Sequence, residues 1–406
     1  MKVVGIITEY NPFHNGHKLH LKKSLNLSEA DAVICIMSGN FMQRGIPSLV
    51  DKWTRTSMAL SNGVDLVLEL PSIFATSSAE FFAKGAVSIL NSLGVVDSLC
   101  FGSELGDIKN LKLISNVLLE EPSFFKESLK NYCKEGLPFH KARSLALSDY
   151  FKEKNQLIED IDIILNSSNN ILGMEYIKNL LKLNSSIKPL TIKREGSDYN
   201  EKLLQSKTAS ATAIREACLK NNDISSIHDF IPYESYNILK NFLNEGNYFT
   251  DPNSMFPFIR YNLLVNSDAL KFIPEVSEGL DNRILKSLWS SSSLDELILK
   301  IKSKRYTYTR INRILCSIFI GTYDFNILNL RDTSPSYGRV LGLNKKGSKI
   351  LKAIKNKGNI NLITKVPSKV EDSMLKLDIQ STNAYSLISS NINFNDDYFK
   401  SPIIFK

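Results

Sequence analysis

The amino-acid sequence predicts an α/β fold with a mostly parallel sheet, a helical insertion and a mostly helical carboxyl-terminal region. Three observations support this prediction. Short apolar, β-branched runs alternate with helix-forming segments over the first half of the chain, which is typical of parallel strands joined by right-handed crossovers. A helix-rich stretch interrupts this alternation at about residues 107–168. The alternation ends near residue 225, and the rest of the chain has a helical pattern.

The strands and helices follow from apolar runs and their breakers. Proline and glycine end several runs, and polar residues open the helices. The predicted strands are residues 2–8, 31–37, 65–70, 98–101 and 188–193, the last of which is predicted to complete the sheet. The predicted helices are residues 17–25, 52–61 and 79–93, one that opens at Asn169 and one that ends near residue 219. Ligands of such sheets bind beyond the carboxyl ends of the strands, so side chains there should converge.

Length and composition define the broad class of protein. A chain of 406 residues with 43% hydrophobic content can bury the cores of two domains, predicted at residues 1–224 and 225–406. The formal charge of +8 favours a polyanionic partner such as nucleic acid. Five scattered cysteines without a paired motif indicate reduced thiols and a cytoplasmic protein. No apolar stretch approaches the length that spans a bilayer, so we expect no membrane partner.

The segment after the first predicted strand carries the strongest chemical signal. Pro12 ends the strand, Gly16 permits a tight turn, and three of the five histidines follow at His14, His17 and His20. Backbone N–H groups at a helix start, with imidazoles beside them, form a phosphate site. The spacing also resembles a metal site, but zinc takes three or four protein ligands and only one acidic residue, Glu9, precedes the segment. We therefore predict a phosphate site and no metal, and His20 could be merely structural.

A second phosphate signal follows the last predicted strand. Ser210 and Thr212 stand at a predicted helix start, where hydroxyl groups cap free N–H groups, and Arg215 can form a fork to phosphate oxygens. An ordinary helix cap is the alternative. The loop after the second strand contains Gln43, Arg44 and Gly45, which could bind phosphate or substrate or be simply solvated.

Two basic stretches without acidic residues lie in the carboxyl-terminal region. Lysines and arginines neutralise phosphates, and tyrosines can stack on unpaired bases. Solvated helix faces are the alternative for both stretches. The residues predicted to contact RNA are Lys304, Arg305, Tyr306, Arg310 and Arg313 in the first stretch, and Lys345, Lys346 and Lys349 in the second.

The motif at His14 to His17 resembles the His-x-Gly-His signature of a superfamily of Rossmann-like adenylyl-transferring proteins. The wider string from Glu9 to His17 resembles the bacterial tRNA(Met) cytidine acetate ligase family, and the similarity extends through most of the chain. The resemblance implies an ATP-dependent ligase that activates acetate as acetyl-adenylate and acetylates N4 of the wobble cytidine, position 34, of elongator tRNA(Met). We expect Mg²⁺ with the nucleotide, because it would bridge the phosphates, and no protein partner is implied.

The resemblance further assigns residues to roles. His14 and His17 are expected to be catalytic, because they would stabilise charge on the phosphates as pyrophosphate leaves. The expected ATP-binding residues are Ile7, Thr8, Glu9, Tyr10, Asn11, Pro12, Phe13, His14, Asn15, Gly16, His17, Lys18, Leu19, His20, Gly102, Asn169, Arg194, Ser210, Thr212 and Arg215.

Two other functions remain open from the sequence. A small-molecule adenylyltransferase of the same superfamily would need only the sheet domain and leaves the basic stretches unexplained. A non-catalytic tRNA-binding protein with a regulatory ATP site is disfavoured by the intact histidine pair.

Overall fold

One mixed sheet organises the molecule. The computed structural model describes residues 1–156, 158–194, 209–303 and 305–406, and these form eight strands. The strands are β1 (Val3–Thr8), β2 (Ala32–Ser38), β3 (Leu66–Leu70), β4 (Ser98–Ser103), β5 (Lys188–Lys193), β6 (Tyr337–Leu343), β7 (Asn361–Ile363) and β8 (Ile403–Ile404). Their order is β5-β4-β1-β2-β3-β6-β7, with β8 beside β6.

The first five strands are mutually parallel and correspond to the five predicted strands. In the register, Thr8 pairs with Met37, and Ser103 pairs with Lys193. The carboxyl ends of these strands therefore share one edge of the sheet, as the strand pattern predicted.

Helices cover both faces of the sheet. In the amino-terminal half they are α1 (Asn15–Ser28), α2 (Lys52–Ser61), α3 (Ser72–Ala75), α4 (Ala79–Ser92), α5 (Ile108–Glu120), α6 (Ser123–Lys134), α7 (Phe139–Glu153), α8 (Ile161–Asn166), α9 (Ser168–Lys182) and α10 (Ala211–Asn221). Helices α5 to α8 form the insertion that the sequence predicted. In the carboxyl-terminal half they are α11 (Tyr233–Asn244), α12 (Phe256–Val265), α13 (Leu280–Leu288), α14 (Leu294–Ile301), α15 (Tyr308–Ile320), α16 (Ile327–Asp332), α17 (Lys345–Lys357), α18 (Ser373–Ser386) and α19 (Asp396–Phe399).

Alternating side chains of the strands build two cores. Val4 and Ile6 of β1 pack with apolar residues of α1, α2, α10 and α11, whereas Val3 packs with those of α4, α9, α17 and α18. The period of two in a strand sends successive side chains to opposite faces. Because both faces are covered, the strands read as continuous apolar runs, and this is why they could be recognised in the sequence.

The carboxyl-terminal region adds three strands that the sequence analysis missed. The prediction that residues 188–193 complete the sheet is wrong, because β6 pairs antiparallel with β3, and β7 and β8 pair with β6. Strand β6 contains two glycines and Arg339, so its sequence lacks a continuous apolar run and it was included in the predicted helical region.

Arg339 can lie in the sheet because its charge is compensated by a buried ionic cluster. Its guanidinium contacts Glu69 of β3 at 3.3 Å and Asp397 at 2.9 Å. Lys52 of α2 contacts the same two carboxylates at 2.8 and 2.9 Å, and all four side chains are almost completely buried. Two cations and two anions thus neutralise each other in the interior and join β3, β6, α2 and α19.

We expect Lys52→Met to destabilise the fold strongly. The substitution leaves Glu69 and Asp397 with one cation between them, and a buried charge without compensation costs about 3–5 kcal/mol. Chemical denaturation should therefore show an earlier unfolding midpoint. Lys369→Met is the matched control, because Lys369 pairs with Glu371 on the surface, and its midpoint should stay unchanged. Equal midpoints for both variants would contradict a stabilising role of the cluster.

Candidate active site

A cavity of about 260 Å³ opens at the shared carboxyl edge of the parallel strands. Its wall combines the turn after β1, the start of α1, the loop after β2, the ends of β4 and β5, and the starts of α9 and α10. Sixteen of the predicted ATP-binding residues line it: Ile7, Thr8, Glu9, Tyr10, Asn11, His14, Gly16, His17, Leu19, His20, Gly102, Asn169, Arg194, Ser210, Thr212 and Arg215. The fold therefore brings together segments that lie up to about two hundred residues apart in the sequence.

Helix α1 begins with a reciprocal cap made by two imidazoles. Nδ1 of His14 accepts a hydrogen bond from the backbone N–H of Gly16 at 3.1 Å, and Nδ1 of His17 accepts one from the backbone N–H of His14 at 3.2 Å. The rings stack with centroids 3.7 Å apart. This cap starts the helix at Asn15, two residues before the predicted start, because the histidines satisfy N–H groups that the helix leaves free.

The cap determines the tautomer of both histidines. A neutral imidazole whose Nδ1 accepts a hydrogen bond carries its proton on Nε2. His14 and His17 therefore each have one N–H donor available for a ligand in the cavity. Two stacked imidazoles with such donors can stabilise developing negative charge on a phosphate oxygen.

Burial and neighbouring cations keep these imidazoles neutral. Burial, with the charges of Arg194 and Arg215, lowers the pKa of His14 to about 3. Burial also holds the pKa of His17 well below its usual value, and His14 and Arg194 act in the same direction. Burial and Arg194 lower the pKa of His20 to about 4, and its Nε2 is buried without a hydrogen-bond partner.

The second predicted phosphate element faces this histidine pair. Ser210 caps α10 by accepting the backbone N–H of Ala213 at 3.1 Å. The Arg215 guanidinium donates to the carbonyl of Asn11 at 2.9 Å and to the hydroxyl of Thr212 at 3.0 Å. These bonds hold the amino end of α10 against the turn after β1, so two helix starts point their N–H groups at one cavity.

The side of the cavity formed by β4, β5 and α9 is built around Gly102. A Cβ at Gly102 would lie 3.3 Å from Cγ of Arg194, so the glycine leaves room for the arginine stem. Asn169 donates its side-chain amide to Glu104 at 2.7 Å, and the same carboxylate accepts the backbone N–H of Asn170 at 2.8 Å. Glu104, which the sequence analysis did not single out, thus orients Asn169 at the start of α9.

Four predicted ATP-binding residues do not line the cavity. Pro12 and Phe13 are buried beneath the turn. The side chain of Asn15 donates to the carbonyl of Asp229, and that of Lys18 pairs with Glu234 at 3.3 Å. The sequence motif predicted ATP contacts for every residue from Ile7 to His20, and only the three-dimensional structure separates residues that support the turn from those that face the cavity.

The cavity also has lining residues that the sequence analysis did not single out. They are Lys23, Met42, Ile46, Phe82, Phe101, Leu172, Tyr176, Ile192, Lys193, Ala209 and Ala211. Most follow a strand or lie in the first turns of a helix, which is the signal that could have found them.

The loop after β2 lines the cavity, whereas the helix α2 that follows it supports the backbone around the site. Gln43 and Arg44 line the cavity. Arg55 is completely buried and donates to the carbonyls of Glu9 at 2.7 Å and Ser38 at 3.0 Å, and also to that of Gly39. Arg55 therefore holds the backbone around the site and does not face a ligand.

The first basic stretch is largely engaged in internal contacts. Tyr306 is 7% exposed and its hydroxyl donates to the carbonyl of Glu278 at 3.1 Å, which corrects the prediction that it stacks on RNA bases. Arg313 lies against the Glu275 carboxylate at 3.0 Å and is mostly buried.

Two further arginines of this stretch also have partners within the chain. Arg305 pairs with Glu278 on the surface, and Arg310 donates to the carbonyl of Glu275 at 2.7 Å. Lys304 lies outside the described residues.

The second basic stretch forms the exposed face of α17. Lys345, Lys346 and Lys349 are exposed on it. Lys346 donates to the carbonyl of Asp31 at 2.8 Å, and Asn344 at the helix cap binds Asp65. Asp31 and Asp65 precede β2 and β3, so this helix begins at the edge of the sheet opposite the cavity.

Two features are absent from the described residues. In these parts of the chain no group of three His, Cys, Asp or Glu side chains is arranged to hold a metal ion. Nor does any helix there combine the length and apolarity needed to cross a bilayer.

Five parallel strands, a histidine-capped first helix and a second helix start that faces it are the arrangement of a nucleotidyltransferase. The profile of the HIGH Nucleotidyl Transferase family matches residues 1–398. A tRNA(Met) cytidine acetate ligase of Clostridium perfringens is 54% identical over 409 residues, and one of Clostridium botulinum is 50% identical over 406 residues; the alignments cover 99–100% of each chain. The chain belongs to the HIGH nucleotidyl transferase family and, within it, to the tRNA(Met) cytidine acetate ligase family.

Solved structures show the same fold. The crystal structure of apo Thermotoga maritima TmcAL matches with a TM-score of 0.92 and 35% identity over the whole of both chains. The same protein bound with alpha-thio ATP matches with a TM-score of 0.89, again over both whole chains.

The low pKa of His20 predicts a loss of stability in acid. The folded protein keeps His20 neutral down to about pH 4, whereas the unfolded chain takes up this proton near pH 6.5. The free energy of unfolding should therefore fall as the pH drops from 6.5 towards 4, by at most about 1.4 kcal/mol per pH unit from this group. Urea unfolding at pH 7.5 and pH 5.0 should show a smaller acid loss for His20→Gln than for the unchanged protein. Identical losses would contradict the assignment.

Proposed function

We propose that this chain is an ATP-dependent tRNA(Met) cytidine acetate ligase. In the first step an acetate oxygen attacks the α-phosphorus of ATP, the bond to the β-phosphate breaks, and pyrophosphate leaves. In the second step N4 of the wobble cytidine, position 34 of elongator tRNA(Met), attacks the acetyl carbonyl. The amine loses one proton and AMP leaves. The names of the Clostridium relatives and the family membership support this reaction.

The single observation that carries the proposal is the stacked histidine pair, whose Nδ1 atoms accept backbone N–H groups and leave each Nε2 to donate. Negative charge grows on the phosphate oxygens as pyrophosphate leaves, and preorganised N–H donors stabilise such charge. His14 and His17 are fixed by the cap, so they need no rearrangement during the reaction. Ser210, Thr212 and Arg215 would hold the β- and γ-phosphates from the opposite helix start.

The nucleoside would lie on the β4 and β5 side, against Gly102, Asn169 and Arg194. The alpha-thio ATP complex of the Thermotoga protein supports nucleotide binding in this fold. Mg²⁺ would accompany the triphosphate. Glu9 is the one carboxylate among the described lining residues, and it already accepts the backbone N–H of Gln43 at 2.6 Å. The described lining residues therefore do not form a dedicated metal site.

We further propose that residues 1–224 supply the ATP site and that residues 225–406 supply most of the tRNA surface. Helix α17 is the best candidate for it, because its six lysines are all exposed. It begins on the edge opposite the cavity, so it would contact a part of the tRNA away from the acetylated base. A wobble base is unpaired and can enter the cavity at low cost. If its substrate is tRNA, the protein acts in the cytoplasm.

An assay with ATP, labelled acetate and bulk tRNA tests the proposal. Label in the RNA, located at N4-acetylcytidine, is the expected result. Label that accumulates only in a small molecule other than acetyl-adenylate would favour a small-molecule adenylyltransferase. Absence of any ATP turnover would favour a tRNA-binding protein with a regulatory ATP site.

His14→Ala and His17→Ala should each reduce acetyl-adenylate formation by about a hundredfold or more, because each removes a donor to the developing charge. Initial rates of pyrophosphate release measure this effect. His20→Ala is the control with the same substitution on the same helix, and its loss should be smaller. Near-normal rates for both His14→Ala and His17→Ala would refute the assigned roles.

Removal of charge from α17 should weaken tRNA binding without affecting adenylation. The triple change of Lys345, Lys346 and Lys349 to Gln should reduce the log–log salt slope of tRNA affinity by roughly one unit per lost phosphate contact. A matched triple change on the helical insertion, at Lys126, Lys130 and Lys134, should leave the slope unchanged. If only the insertion variant alters the slope, the tRNA surface lies there instead.

A further inference from the structure

The cavity has a wall that the proposed nucleotide contacts leave unused. Met42, Gln43, Arg44 and Ile46, from the loop between β2 and α2, line this wall. Strand β2 lies on one side of β1, whereas β4 and β5 lie on the other. The loop therefore faces the histidine pair from the side opposite Gly102, Asn169 and Arg194.

The geometry of adenylation indicates the side from which the acid approaches the phosphorus atom. The nucleophile and the departing pyrophosphate lie roughly in line through the phosphorus atom. The proposed phosphate clamp at the start of α10 is fastened to the turn after β1 by the bond from Arg215 to Asn11. Helix α10 packs in the core on the α1 face of the sheet. The acid should then approach from the other direction, where the loop after β2 and Phe82 of α4 line the cavity.

The residues of this wall match a short carboxylic acid. Acetate is a carboxylate joined to one methyl group, so its site needs a cation beside a small apolar surface. Arg44 is half-buried and supplies the cation, and Met42 and Ile46 supply apolar side chains on the same wall. Gln43 also lines this wall, but its side-chain amide is already engaged and donates to the carbonyl of Ser77 at 3.0 Å.

Arg44 stands on a rigid support. The backbone N–H of Gln43 donates to the Glu9 carboxylate at 2.6 Å, and Met42 donates to the carbonyl of Ile46 at 2.9 Å. Gly45 has φ +72°, and a Cβ there would lie 2.3 Å from the backbone nitrogen of Arg313 in α15. The loop is thus pressed against a helix of the carboxyl-terminal region, and a fixed backbone positions the arginine on its neighbour.

We propose that Arg44 binds the carboxylate of acetate before adenylation, with Met42 and Ile46 against the methyl group. This assignment rests on the proposed function and names the residue that receives its second substrate. Arg44 is a substrate-binding residue in this scheme, and Gly45 is a positioning residue that lets α15 support it.

Pyrophosphate release from ATP and acetate, measured without tRNA, tests the assignment. Arg44→Ala should raise the KM for acetate by about tenfold to a hundredfold, as for loss of a charge-assisted hydrogen bond, and leave the KM for ATP within about twofold. Arg44→Lys keeps the charge but loses the two-pronged hydrogen bond of the guanidinium, so its KM for acetate should lie between that of the unchanged protein and that of Arg44→Ala. Gly45→Ala should shift the same constant in the same direction, provided that thermal unfolding shows an intact fold. Lys22→Ala, on the exposed side of α1, is the control and should change neither constant.

The outcomes separate this inference from the function on which it rests. If the unchanged protein releases no acetate-dependent pyrophosphate, even with tRNA added, the proposed function fails. If it does so and Arg44→Ala raises the KM for ATP alone, Arg44 is a phosphate ligand and the inference is wrong. The inference is equally wrong if both constants are unchanged and only acetyl transfer to tRNA is lost, because Arg44 would then contact the cytidine.

Discussion

The reciprocal imidazole cap of α1 is the interaction on which the site depends. Each histidine uses Nδ1 to satisfy a backbone N–H group at the helix start, and each thereby keeps Nε2 as a donor. One pair of hydrogen bonds thus starts the helix, fixes the tautomers and orients the donors. Burial and Arg194 keep both rings uncharged, so the stacked pair avoids the repulsion that two imidazolium ions 3.7 Å apart would suffer.

Basic residues that look alike in the sequence have different tasks in the structure. Arg55 is buried and serves as a hydrogen-bond donor to backbone carbonyls around the cavity, and Lys52 neutralises carboxylates inside the fold. Arg44, only a few residues earlier, lines the cavity. The difference is one of burial, since a guanidinium or ammonium taken from water needs full compensation within the fold.

The carboxyl-terminal region completes the sheet and supports the site. Strand β6 extends the sheet beyond β3, and the ionic cluster that contains Arg339 ties it to α2. Helix α15 presses on Gly45 in the loop after β2. These contacts join residues from both proposed domains. Because β3 and β6 belong to one sheet, the proposed boundary near residue 225 does not separate two independent sheets.

The sequence by itself determined the parallel half of the sheet and the two helix starts, at His14 and Ser210, that meet at the cavity. These features depend on local patterns: continuous apolar runs for doubly covered strands, and histidine, glycine or hydroxyl side chains at helix starts. Only the tertiary structure decided that β6 joins the sheet, that Tyr306 is buried and that Lys18 faces away from the cavity. The physical reason is that these outcomes depend on partners distant in the sequence. Arg339 lies in a strand because Glu69 and Asp397 neutralise it, and no pattern within a few residues of Arg339 reveals them.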